Sequence, residues 1–110
     1  MPATAQQVIF YEDVDGRVPF AEWYKGLPDN RAVKRVLTRI ARLRTGNFGD
    51  HRPVGGSVLE LRVDYGPGYR LYCARDGQTL VILLCGGDKR TQPADIQMAQ
   101  RYWQRYKEAK

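Results

Sequence analysis

Leu59-Glu60-Leu61-Arg62-Val63-Asp64-Tyr65-Gly66-Pro67-Gly68-Tyr69-Arg70-Leu71-Tyr72 is followed by Asp76-Gly77, by Leu80-Val81-Ile82-Leu83-Leu84 and by Gly86-Gly87-Asp88-Lys89-Arg90. Leu59, Leu61, Val63 and Tyr65 alternate with Glu60, Arg62 and Asp64, and Tyr69, Leu71 and Cys73 alternate with Arg70, Tyr72 and Ala74. A period of two is the mark of half-buried strands. For both strands to turn their apolar residues the same way, the loop between them must hold an odd number of residues. A loop of three or five around Gly66-Pro67-Gly68 does this. Either length sets Arg62 on the face that carries Arg70 and Tyr72. Leu80 to Cys85 is apolar on both faces and reads as a central strand. Asp76-Gly77 is a strong hairpin signal. A two-residue turn there pairs Cys73 with Leu80 and sets Cys85 opposite Gly68. The two sulfurs are then roughly 17 Å apart along the ladder, too far for a bridge. Both cysteines read as small core residues of a reducing compartment.

Upstream, Val8-Ile9-Phe10-Tyr11 is a short apolar strand. Phe20, Trp23, Tyr24 and Leu27 follow the i, i+3, i+4, i+7 spacing of a short helix that Gly26 and Pro28 end. Residues 31–44 form a second helix, with Asp29 or Asn30 as its cap. Val33, Val36, Leu37, Ile40 and Leu43 make its apolar stripe. The same segment holds six bases and no acid, mostly off that stripe. These bases can track a phosphate backbone or dock an acidic partner. The two helices in series read as a hairpin lying on a sheet. His51 to Ser57 is a loop or a short edge strand. Downstream, Thr91 or Gln92 caps a last helix whose apolar stripe is Ile96, Ala99, Trp103 and Tyr106, with Pro93 and Asp95 in its first turn. The expectation is one α+β domain over residues 1–110: an antiparallel sheet with an N-terminal helical hairpin and a C-terminal helix.

The 110 residues suit one domain, and 43% hydrophobic residues are enough for a core without disulfides. Eighteen Lys and Arg oppose twelve acids, for a net charge of +6. The first 30 residues hold five acids and two bases, so the excess of positive charge lies in the rest. Such a balance favours nucleic acid or acidic proteins as partners, although a basic protein with no such role has the same composition. No signal peptide and no apolar run near 18 residues occurs, so a cytoplasmic protein is expected.

Arg62, Arg70, Lys89 and Arg90 are the central candidates. Guanidinium groups bind phosphate oxygens in pairs, and lysine adds a compact charge. Tyr69 or Tyr72 could stack on a base or donate a hydrogen bond. The plain alternative is that Arg62 and Arg70 pair with Glu60 or Asp64 on a solvated sheet face. The corner Gly86-Gly87-Asp88-Lys89-Arg90 can turn backbone N–H groups toward an anion, yet it lacks P-loop spacing. His51 is the only histidine and Ser57 the only serine. Neither has the neighbours that acid-base or nucleophilic catalysis needs, and two cysteines with one histidine make no zinc site. No cofactor or metal is expected.

With these residues laid out, the chain resembles toxins of the RelE/ParE superfamily, of the HigB-type, phage-derived addiction-module killer branch. Glu60-Leu61-Arg62, Gly68-Tyr69-Arg70-Leu71-Tyr72, Leu80 to Leu84, Gly87-Asp88-Lys89-Arg90-Thr91-Gln92 and Asp95-Ile96 with Ala99 and Trp103 carry the resemblance, which runs from Val8 through Tyr106. It implies a toxin of a type II toxin-antitoxin system that cuts messenger RNA on the ribosome, silenced by a cognate, HigA-like helix-turn-helix antitoxin. Arg70 matches the strand arginine of the family. Lys89, or Arg90 with a shift of one, matches the base at the end of the last strand, and Arg62 falls where the preceding strand often carries a base. On this reading Arg70 and Lys89 stabilise the phosphorane and Arg62 and Arg90 position the backbone. Tyr72 stacks or donates, and Asp88, Tyr72 or the ribosome helps move the proton. The chain departs from the family in having no tyrosine between Thr91 and Gln100 and no histidine motif near its end. ParE-like relatives, which poison DNA gyrase without nuclease chemistry, supply the alternative. A binding module that has lost its toxicity is a third.

Overall fold

A computed structural model describes residues 3–110. Among them the order is β1 (Gln7–Phe10), α1 (Pro19–Lys25), α2 (Asn30–Arg44), β2 (His51–Pro53), β3 (Val58–Val63), β4 (Tyr69–Asp76) and β5 (Leu80–Gly87). A 3-10 turn (Lys89–Thr91) then leads into α3 (Gln92–Glu108). The strands form one sheet in the order β1-β5-β4-β3-β2. The α+β architecture is the one expected, with the β3-β4-β5 meander at its centre. Antiparallel pairing holds everywhere except at one edge, where β1 runs parallel to β5. No described helix is long and apolar enough to cross a membrane.

Alternation along the strands builds two cores. Leu61, Val63, Tyr69, Leu71, Cys73, Val81 and Leu83 meet Phe20 of α1 and Val36, Ile40 and Leu43 of α2. Val58, Tyr72, Ala74, Ile82 and Leu84 meet Ala99 and Trp103 of α3 on the other face. The Asp29 carboxylate caps α2 by accepting from the Ala32 N–H at 2.7 Å, a contact that contributes about 1 kcal/mol. Leu37, read from its spacing as part of the apolar stripe, is 48% exposed. Arg39, counted among the surface bases, is buried. Its guanidinium donates to the carbonyls of Phe48, Asp50 and Arg62, joining α2 to the loop before β2 and to β3.

Val63 pairs with Tyr69, so the β3–β4 loop holds five residues, one of the two lengths that parity allowed. Arg62 stands directly opposite Arg70 and Glu60 opposite Tyr72. The β4–β5 hairpin corrects the two-residue turn expected at Asp76-Gly77. Asp76 itself pairs with Leu80, leaving Gly77, Gln78 and Thr79 in the loop, with Gly77 at φ +78°. The longer loop turns the Gln78 and Thr79 carbonyls toward β1, where the Gln6 side chain and the Gln7 N–H donate to them at 2.8 and 2.7 Å. Farther along, Tyr72 pairs with Cys85 and Cys73 with Leu83, so Leu84 is an extra, bulged residue. Cys73 and Cys85 are free and buried, in opposite cores. The sheet separates them, not the length of ladder first expected. Burial pushes both thiols up to about 12.

The bulge shifts the phase of the end of β5. Gly86 comes under the Trp23 indole and Gly87 under Thr91 and Asp95. A methyl group at Gly86 would overlap the Trp23 ring, which is wedged against Phe20 and Tyr69. Gly86→Ala is expected to lower stability by about 1–3 kcal/mol through overpacking, measured by urea unfolding. An unchanged midpoint would show that Trp23 moves aside at no cost.

Candidate nucleic-acid interface on the sheet face

Past the part of the sheet that α3 covers, side chains of β2, β3 and β4 gather around one carboxylate. Glu60 is fully buried. It accepts hydrogen bonds from Arg52 Nε at 2.9 Å, Tyr72 OH at 3.1 Å and Gln92 Nε2, at the start of α3, at 2.7 Å. Arg70 Nε and Arg62 Nε stand 3.6 and 3.9 Å from its oxygens. Arg70 is held further by Nη1 donating to the Gly68 carbonyl at 3.0 Å, and Arg62 Nη1 lies 3.7 Å from Asp50. Burial alone would raise the Glu60 carboxyl. Hydrogen bonds from Arg52, Gln92 and Tyr72 outweigh it and hold the group below its ordinary value. The Tyr72 phenol moves the other way, raised by burial and by the Glu60 charge it faces. Three guanidinium groups share one anion, so the cluster keeps net positive charge.

That charge opens into a groove of about 270 Å³ lined by Arg62, Arg70 and Lys89, with Asp50, Asp64 and Gly68. Gly68 lies between the two cations, in a backbone conformation that favours glycine. Its φ is +78°, and a Cβ there would sit 3.4 Å from Arg70 Nη1 and 3.7 Å from Lys89 Cβ. Strand β4 supplies Arg70 and the 3-10 turn supplies Lys89, so the two cations meet across the Gly68 loop.

The remaining sequence candidates lie elsewhere. Tyr72 is 0% exposed and gives its hydroxyl to Glu60, so it does not present a ring to a base. Tyr69 points to the opposite face, 5% exposed, with its ring edge-on to Trp23 at 5.9 Å. Alternation explains both corrections: Tyr69 belongs to the core under α1 and α2, and Tyr72 to the core under α3. Asp88 caps the 3-10 turn, accepting from the Arg90 N–H at 2.8 Å. Burial would raise this carboxyl, but the hydrogen bonds from Arg90 keep it below the ordinary range, which suits a cap better than a proton acceptor. Arg90 is 83% exposed, paired with Asp88, and lines a separate depression beside Trp23 and Tyr69. His51 bonds the Gly49 carbonyl through Nδ1 at 2.8 Å and packs on Phe48. Sequence reasoning missed Arg52 and Gln92, and it treated Glu60 only as a surface partner. Glu60 was in phase with Arg62 and Tyr72, which is the signal that could have placed it inside the cluster. A larger depression, of about 510 Å³ between residues 11–15 and the end of α3, sets four carboxylates against the single cation Arg105.

Because the folded-state carboxyl of Glu60 is depressed, its stabilisation is present above the unfolded value near 4.3 and is lost as pH falls through the folded value. Glu60→Gln is therefore expected to cost about 3 kcal/mol at pH 7, where it leaves clustered guanidinium groups uncompensated. The gap from wild type should shrink as pH falls below the unfolded value of about 4.3, where the unfolded carboxyl takes up a proton, and further once the folded carboxyl does so too. Urea unfolding at pH 7 and pH 3 checks this, and a gap of equal size at both would contradict it.

Residues 22–107 match the family of phage-derived Gp49-like proteins (DUF891), a span that includes every residue of the cluster. An uncharacterized protein of Haemophilus influenzae is 49% identical over 80 residues, covering 73% of this chain and 81% of that one. The chain belongs to the phage-derived Gp49-like (DUF891) family.

Proposed function

We propose that the protein is the toxin of a type II toxin-antitoxin system and acts in the cytoplasm as a ribosome-dependent messenger RNA endoribonuclease. The observation that carries this reading is the convergence of Arg62, Arg70 and Lys89 on one groove, anchored from below by Glu60. The phage-derived family supports a toxin-like role. In the reaction the 2′-hydroxyl of one nucleotide loses its proton and attacks the adjacent phosphorus, and the P–O5′ bond breaks as the leaving 5′-oxygen takes a proton from water. The products are a 2′,3′-cyclic phosphate and a 5′-hydroxyl end. Negative charge builds on the non-bridging oxygens of the phosphorane. Arg70, 12% exposed and fixed by two partners, and Lys89 are aimed where that charge develops. Arg62 steers the backbone into place. No external nucleophile or metal is required by this step.

The proton of the 2′-hydroxyl has no acceptor among the groove side chains other than Asp50 and Asp64, both on the rim. Tyr72 is buried and Asp88 is committed as a cap. Transfer to the ribosome or to solvent fits this arrangement.

A cognate antitoxin is the proposed protein partner. An apolar groove between β1, α1 and α2, lined by Phe10, Phe20, Tyr24 and Leu37, supports it. Phe10 and Leu37 are 43% and 48% exposed there, large apolar side chains left open to solvent among the described residues.

Induced expression is expected to arrest growth and to yield transcripts with new 5′ ends in register with codons. Arg70→Ala, expressed at the same level and still bound by the antitoxin, is expected to lose both effects. Full toxicity of that variant would remove the groove from the mechanism. A DNA-damage response with intact transcripts would favour a gyrase poison instead.

A further inference from the structure

The cationic groove does not end at Arg62. A second depression, of about 300 Å³, shares Asp50, Arg62, Val63 and Asp64 with it and runs along α2, where Arg35 and Arg42 form its far wall. Arg35, Arg39 and Arg42 stand at i, i+4 and i+7, one stripe of the helix. Arg35 is steadied by lying over the Tyr65 ring at 5.4 Å. Arg39 lies beneath this trough. Its side chain is 5% exposed, its Nη1 is buried without a hydrogen-bond partner, and the three oxygens that hold the rest of it are neutral carbonyls. A buried guanidinium held by neutral carbonyls, with the nearby Asp50 carboxylate as its counter-charge, is a fixed source of positive field at the surface above it. Together the two depressions carry six cations against the carboxylates of Asp50 and Asp64 on their shared wall.

We infer that this second trough is an RNA-backbone site in which Arg35 and Arg42, over the buried Arg39 charge, hold phosphates of the strand flanking the one in the Arg70–Lys89 groove. The inference rests on the RNA reading given above and extends it to the path of the substrate. Arg35 and Arg42 are about 10 Å apart along the helix axis, so together they reach farther than a single phosphate. Continuity with the groove through Arg62 favours the same RNA strand over an acidic protein segment, which would need no connection to it. Arg39 shapes the field without touching the ligand, so it is a positioning residue.

The test is binding of a labelled single-stranded hexaribonucleotide and of a dinucleotide by the full chain, followed by anisotropy from 50 to 200 mM KCl. Arg35→Ala/Arg42→Ala is compared with wild type and with Arg101→Ala/Arg105→Ala, which removes the same charge from exposed positions on α3. The α2 pair is expected to weaken hexamer binding and to make its log-log salt slope shallower by about 1.4, the loss of two single-strand phosphate contacts. Dinucleotide binding, confined to the Arg70–Lys89 groove, should match the α3 control. Equal effects of the two double variants on the hexamer would overturn the trough while leaving the groove reading intact. So would selective loss of polyglutamate binding by the α2 pair, which would assign the stripe to an acidic protein. Failure of the wild-type chain to bind either RNA at 50 mM KCl would overturn the RNA reading itself, and the trough with it.

Discussion

A single buried carboxylate governs the arrangement of the sheet face. Glu60 has no access to solvent; Arg52, Tyr72 and Gln92 donate hydrogen bonds to it, and the Arg62 and Arg70 guanidinium groups stand 3.9 and 3.6 Å away. Ionised in that position, it is tolerable only because those donors surround it. They in turn are oriented by it. Arg52, Arg62 and Arg70 would otherwise be long, mobile side chains repelling one another. Around Glu60 they are fixed, and their combined charge exceeds its own. The groove presents Arg62, Arg70 and Lys89 to an anion, between the carboxylates of Asp50 and Asp64.

Backbone geometry serves the same end. The five-residue loop after β3 sets Arg62 opposite Arg70, and Gly68 within it supplies the positive φ that the loop needs. The bulge at Leu84 alters the phase of β5, so Gly86 and Gly87 meet Trp23 and Asp95 where side chains would collide. Without it the turn bearing Lys89 would leave the sheet at a different angle. Arg39 anchors β3 from the other face by binding the Arg62 carbonyl at 3.0 Å. The groove is thus braced from both sides of the sheet.

Much of this was legible in the sequence, for stated physical reasons. Alternation in Leu59–Val63 and Tyr69–Ala74 gave the strand faces, and loop parity put Arg62 on the same face as Arg70. Strand and helix order followed from the change between a period of two and one near 3.6. What escaped depends on events that period and composition do not record. The bulge and the three-residue hairpin loop arise from how β5 meets β1 and α1. Arg39 looked like a surface base because helical spacing does not reveal carbonyls waiting on a neighbouring loop. Tyr69 and Tyr72 looked available for stacking because the sequence does not say how completely α1 and α3 cover the two faces. Of the seven candidate site residues, Arg62, Arg70 and Lys89 share the groove, whereas Arg90 and Asp88 belong to the turn behind it.

The central claim is that Glu60 aims strand arginines into one groove that receives an RNA phosphate. Side-chain NMR of the arginine Nε–H groups, during titration with a 2′-deoxy oligonucleotide that cannot be cleaved, addresses it most directly. The account requires the Arg62 and Arg70 signals to shift together and saturate at one concentration in the wild-type chain, and to lose that joint response in Glu60→Gln. Independent shifts of the two arginines, or a Glu60→Gln titration that matches wild type, would contradict it.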